Sequence, residues 1–127
     1  MTKLFTVRLK NEPGALARLA AKLGEQGIDI RSSAAGGVGT VACAVLSTNN
    51  DAAAREVMRK ARYTFIEGEM LNVGLEDRPG SLAQLTGRLA EAGVNITGVI
   101  TLARHQGKAE LGITVDDVDA ARRILAT

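Results

Sequence analysis

The 127-residue sequence has no tryptophan, one tyrosine and two phenylalanines. So few flat rings leave no platform on which successive bases could stack, and nucleic acid is not an expected partner. The single cysteine, Cys43, excludes an internal disulfide and a thiolate metal cage. It is expected as a small buried side chain in a strand. The longest apolar runs, 41–46 and 99–103, fall far short of the roughly 20 residues that cross a bilayer, so no membrane segment is expected. The first residues lack the apolar region and cleavage site of a secretory leader, which makes the cytoplasm the default location. The one histidine, His105, falls in an expected hairpin tip with no acid and nucleophile to match it, leaving a hydrolytic triad unsupported. What remains is an ordinary globular composition, 46% hydrophobic and 24% charged with a net charge of +2, and room for one domain or two small ones.

The two prolines show how the chain is organised. Val7-Arg8-Leu9-Lys10-Asn11-Glu12-Pro13-Gly14-Ala15-Leu16-Ala17-Arg18-Leu19 recurs 66 residues later as Val73-Gly74-Leu75-Glu76-Asp77-Arg78-Pro79-Gly80-Ser81-Leu82-Ala83-Gln84-Leu85. Leu23, Gly27, Ile28, Asp29 and Ile30 match Leu89, Gly93, Val94, Asn95 and Ile96 in the same register. The chain is therefore two copies of one unit, 1–68 and 69–127.

In the first copy, residues 4–9 alternate as a strand, and Pro13-Gly14 opens a helix whose Leu16, Leu19, Ala20 and Leu23 recur at three- and four-residue spacing. Gly24 and Gly27 close that helix. A strand over 28–35, a Gly36-Gly37-Val38-Gly39 turn and a strand over 40–47 follow. Asn50 or Asp51 caps a second helix with the stripe Ala54, Val57, Met58 and Ala61, and 63–66 reads as a fourth strand. The second copy repeats the pattern with strands over 71–75, 94–103 and 108–115, and helices over 80–91 and 117–126. Each copy is an α+β unit of the ferredoxin-like βαββαβ type, an antiparallel sheet with helices on one face. The second copy lacks its own last strand, so one sheet edge invites pairing. That edge could be filled by 63–70, by an exchanged strand or by a partner chain, and 63–75 could run as one long strand.

Proline has its φ preset for the first helical position, and the glycine after it leaves the helix N-terminus bare. A carboxylate can approach such free amides, where the helix dipole favours negative charge. Asn11 and Asp77, two residues before each proline, carry groups able to receive an ammonium. The same two side chains also suit a purely local role in satisfying turn or cap amides. A valine at Gly14 is expected to block the first loop without harming the fold.

Strand, Asn-x-Pro-Gly-x-Leu, helix and Gly-(Ile/Val)-(Asp/Asn)-Ile is a pattern that resembles the ACT domain, and in this chain it occurs twice. The resemblance covers almost the whole sequence and implies a stand-alone tandem ACT protein. Such a protein is a regulator or sensor without cofactor or metal. The resemblance implies ligand contacts from Asn11, Pro13, Gly14, Ala15 and Leu16, from Asp77, Pro79, Gly80, Ser81 and Leu82, and from Asp29 and Asn95. In the family an amino acid sits between neighbouring units, which pairs Asn11 with Asn95 and Asp77 with Asp29. The amide pair suits a zwitterion better than the acid pair, which would repel an anion unless a cation intervened. Some members carry a histidine two residues before the Asn, a place held by Leu9 and Leu75 in this chain, which departs from a serine-binding pattern.

Charge divides unevenly, +5 over 1–66 and −3 over 67–127, and the opposite signs favour docking of the halves on each other or between subunits. Arg55, Arg59, Lys60 and Arg62 are expected on a solvated helix face. The Gly36–39 run lies between strands and lacks the lysine of a phosphate loop. The expected function is an amino-acid-binding regulator, acting as a homodimer or on a metabolic enzyme. The alternative is a ligand-independent regulatory subunit of an enzyme or transcription regulator. An acylphosphatase-like enzyme lacks a phosphate-cradling loop to support it.

Overall fold

A computed structural model describes residues 2–126 and resolves them into two compact units, one ending at Glu67 and the next beginning at Gly68. The first unit runs β1 (Lys3–Lys10), α1 (Ala15–Glu25), β2 (Ile30–Val38), β3 (Val41–Thr48), α2 (Asp51–Lys60) and β4 (Phe65–Glu69), the last two residues of β4 falling past the boundary between the units. Its sheet has the order β2-β3-β1-β4, with β3 antiparallel to both β1 and β2. Period-2 alternation along β1 sends Phe5, Val7 and Leu9 to the helix-covered face, where Leu19 and Leu23 of α1 and Ala54 and Met58 of α2 complete the core. The rings of Phe5 and Phe65 meet at 6.0 Å and 58°.

The second unit runs β5 (Leu71–Glu76), α3 (Ser81–Glu91), β6 (Ile96–His105), β7 (Lys108–Val115) and α4 (Val118–Leu125). Its sheet is β5-β7-β6, again antiparallel, around a core that includes Leu85, Leu89, Leu111, Ile113 and Ala121. Among the described residues this unit has the order βαββα, and β5 is an edge strand of its sheet. The burial of equivalent side chains shows what a flanking strand does. Val7 is fully buried beside β4, whereas its counterpart Val73 on the bare edge of β5 is only partly covered.

Several details differ from the sequence pattern. Residues 63–75 do not form one strand, because β4 and β5 are separated at Met70 and belong to different sheets. The hairpin turn is shorter than the glycine run, since Gly36, Gly37 and Val38 continue β2 in register with Cys43, Ala42 and Val41. Cys43 is exposed, not buried. Its strand neighbours Ala44 and Leu46 are buried, and alternation places Cys43 on the opposite face, which no helix of its unit covers. His105 is exposed at the end of β6, beside the turn. Arg62 lies beyond the end of α2 with a left-handed φ of 63°.

Arg55 and Glu67 form a bidentate pair at 2.5 and 2.8 Å, each about a quarter to a third exposed. The hydrogen bond from Arg55 holds the Glu67 carboxyl below its ordinary 4.5 against the opposing effect of burial. A carboxyl depressed on folding contributes stability that is present at neutral pH and lost as pH falls below about 4.5 through its folded-state value. Glu67→Gln is expected to lower Tm by a few degrees at pH 7, with the two proteins converging toward pH 3. Scanning calorimetry across that range checks it, and a pH-independent difference would rule out the ionic contribution.

Candidate functional site

Each unit starts its two helices in different ways. Asn50 caps α2 by accepting from the Ala53 N–H at 3.1 Å, and Asp117 caps α4 by accepting from Ala120 at 3.0 Å. The helices that follow the Pro-Gly bends have no side-chain cap. Gly14 (φ 86°, ψ −6°) and Gly80 (φ 92°, ψ −16°) precede α1 and α3 in the left-handed region that glycine adopts without a Cβ penalty. Pro13 and Pro79 therefore stand one residue outside the cap, not at the first helical position. The loops close locally, with Ala15 N–H donating to the Glu12 carbonyl and Arg18 N–H to Gly14, and with Ser81 donating to Arg78 and Gln84 to Gly80. The next amides, those of Leu16 and Ala17 and of Leu82 and Ala83, have no partner among the described residues. These four residues are exposed at the surface, while Ser81 is buried.

A valine at Gly14 would not be a clean block, contrary to the sequence-based expectation. Its φ of 86° strains any L-residue, whereas the atom nearest a Cβ there, Nη1 of the exposed Arg18 at 2.9 Å, can move aside.

Asn11 and Asp77 brace their loops against the neighbouring hairpins. The Asn11 N–H donates to the Thr40 carbonyl at 3.1 Å, and its Nδ2 donates to Gly39 at 2.9 Å. Its carboxamide rests on Gly37, where a Cβ would come within 2.5 Å of Oδ1. In the second unit Asp77 N–H donates to Gly107 at 2.8 Å, and its carboxylate pairs with Arg104. Gly37→Ala should therefore displace Asn11 from Gly39 and cost about 1 kcal/mol. Faster hydrogen exchange at Asn11 would report the loosened brace.

Asp29 and Asn95 are held by an equivalent clasp. Asn49 accepts from the Asp29 N–H at 2.9 Å and donates its own N–H to the Asp29 carbonyl at 3.1 Å. Asp116 does the same for Asn95 at 2.9 and 3.0 Å. The Asp29 carboxylate lies 3.4 Å from Arg31, so both acids of the Asp29/Asp77 set have a cation inside their own unit. The Asn95 side chain is exposed. Leu9 is buried in the first core and Leu75 packs against the second, where polar ligand contacts would be costly.

Sequence reasoning missed the surroundings of the loops. Beside α1 lies an open cleft of about 570 Å³, bordered by Arg8, Lys10, Arg18 and Arg62. Beside α3 a cleft of about 690 Å³ takes in the open edge of β5 together with Glu76, Arg88 and Lys108. Lys108 donates to Glu76 and holds that carboxyl below the usual range. The alternating Arg8 and Lys10 were a legible signal, but Arg62 reaches the cleft only through the turn after α2.

Residues 70–125 match the family model of the ACT domain. Among solved structures, a protein from Bacteroides thetaiotaomicron resembles the chain with a TM-score of 0.73 at 17% identity, over 99% of this chain and 88% of that one. The ligand-free regulatory subunit of aspartate kinase from Thermus thermophilus gives 0.60 at 20% identity, over 98% and 89%. The corresponding subunit from Thermus flavus gives 0.65 at 19%, over 98% and 90%. No curated protein matches by sequence. At these identities the structures establish a common fold.

Proposed function

Taking residues 70–125 as an ACT domain, and the first unit as a second copy of its fold, we propose that the protein is an amino-acid-responsive regulator and not a catalyst. The observation that carries this reading is the contrast within each unit, one helix capped by Asn50 or Asp117 and the other left bare behind a left-handed glycine. Bare amides at a helix N-terminus suit the carboxylate of a zwitterion. The braced loops hold those amides ready, so little ordering is needed on binding. Asn95, clasped by its backbone and exposed by its side chain, offers a carboxamide suited to an ammonium or carboxylate. Effector binding would then act by favouring one conformational or assembly state over another. The regulatory subunits of aspartate kinase share this fold, which makes an enzyme of amino-acid metabolism a reasonable class of partner.

A thermal-shift screen of the intact protein against the twenty common amino acids tests the reading. One or two should raise Tm in a concentration-dependent way. No shift with any of them would favour a ligand-independent docking subunit.

The bare β5 edge supports self-association as the second half of this function. Pairing there would cover Val73 as β4 covers Val7. Light scattering should give a dimer whose Asn72 and Gly74 amides exchange slowly, and a monomer with rapid exchange at both would contradict it.

A further inference from the structure

The two copies of the repeat differ in the charge around the first turn of their bare helices. In the first unit the cleft is bordered by four cations, Arg8, Lys10, Arg18 and Arg62, and by one acid, Glu12. Arg18 is shared with Glu12 at 3.7 Å, while Arg8, Lys10 and Arg62 have no carboxylate partner among the described residues. The equivalent positions of the second copy are Gly74 for Arg8, Glu76 for Lys10, Arg78 for Glu12 and Gln84 for Arg18. The shared fold therefore does not require this concentration of positive charge. Thr40, Tyr63 and Thr64, which carry hydroxyls, border the same cleft. Arg62 takes the left-handed φ of 63° that closes α2, with Tyr63 N–H donating to Met58 across the turn as Ile28 does to Leu23 after α1, and this helix-ending turn brings Arg62 to the cleft.

We infer that the first-unit cleft binds a small metabolite bearing a phosphate, or another group with at least two negative charges. A zwitterionic amino acid is a poor occupant, because the surplus of cations that attracts its carboxylate repels its ammonium. Arginine forks match phosphate oxygens in a way a neutral ligand cannot exploit, and the hydroxyls add donors. This site goes beyond the amino-acid reading, does not depend on it, and leaves the α3 loop as the place for a zwitterion.

Inorganic pyrophosphate is the probe, titrated calorimetrically into the intact protein at fixed ionic strength. It should bind once per chain and raise Tm. Arg62→Gly should weaken binding by about tenfold or more, the loss of one charge-assisted contact. It should fold at least as stably as the parent, because glycine relaxes the left-handed φ. Arg8→Gln should weaken binding similarly, and Arg123→Gln on α4 should leave it unchanged. Unchanged affinity in both cleft variants, or an equal loss in Arg123→Gln, would reduce the effect to screening by counter-ions and overturn the site. An amino-acid response that persists in Arg62→Gly would keep the two readings separate. Pyrophosphate binding with no amino-acid response would leave the cleft standing and defeat the sensor alone.

Discussion

Replacing Phe5 by alanine should unfold the first unit while the second remains folded. Phe5 is fully buried in one core with Val7 and the helix side chains Leu19, Leu23, Ala54 and Met58, and meets the ring of Phe65 from β4. Truncating such a side chain costs about 3–5 kcal/mol, through lost transfer free energy and the cavity left behind. A unit of this size has about 5 kcal/mol of stability to lose. The second unit has its own core around Leu85, Leu89 and Ile113, which this substitution leaves untouched. Chemical denaturation followed by amide resonances should therefore show the first-unit signals lost at low denaturant and the second-unit signals retained. A single shared transition with a small shift would mean that the units stabilise one another strongly.

The second large effect concerns the bare helix termini. Ala17 and Ala83 are exposed in the first turns of α1 and α3, and their amides have no partner among the described residues. An aspartate at either position places a carboxylate where the dipole favours it, stabilising the helix by about 0.3–1 kcal/mol. It would also occupy the place proposed for the effector's own carboxylate. Ala83→Asp, Ala17→Asp or the double variant should therefore raise Tm slightly and weaken amino-acid binding by about a hundredfold at the loop that binds, the loss of two or so charge-assisted hydrogen bonds. Binding measured by calorimetry against the effector found in the screen decides it. Undiminished affinity in the double variant would place the ligand elsewhere. These substitutions are preferable to changing Gly14, where backbone strain and loss of binding would be confounded.

Local chemistry made much of this readable in advance. The matched Pro-Gly bends located two helix starts with bare amides, Asn50 was one of two residues offered as the cap of α2, and alternation over 4–9 marked the first strand. Such features depend on contacts only a few residues apart, or on which face a strand presents. Cys43 shows the limit of that reasoning: its strand was evident, but burial depended on which of two faces the helices covered. The hairpin glycines were open to the same ambiguity, because pairing with Ala42 and Cys43 carried Gly36 and Gly37 into the strand.

By itself, then, the sequence determined a duplicated βαββα unit and two bends that leave helix amides unbonded, because periodicity, glycine and proline act over one or two turns of chain. Tertiary structure alone decided that Asn11 and Asp77 are engaged by their hairpins, that Asn49 and Asp116 clasp Asp29 and Asn95, and that Arg8, Lys10, Arg18 and Arg62 border one cleft. Those groups are brought together across sheet and loop from positions up to about fifty residues apart, a distance over which no local pattern carries information.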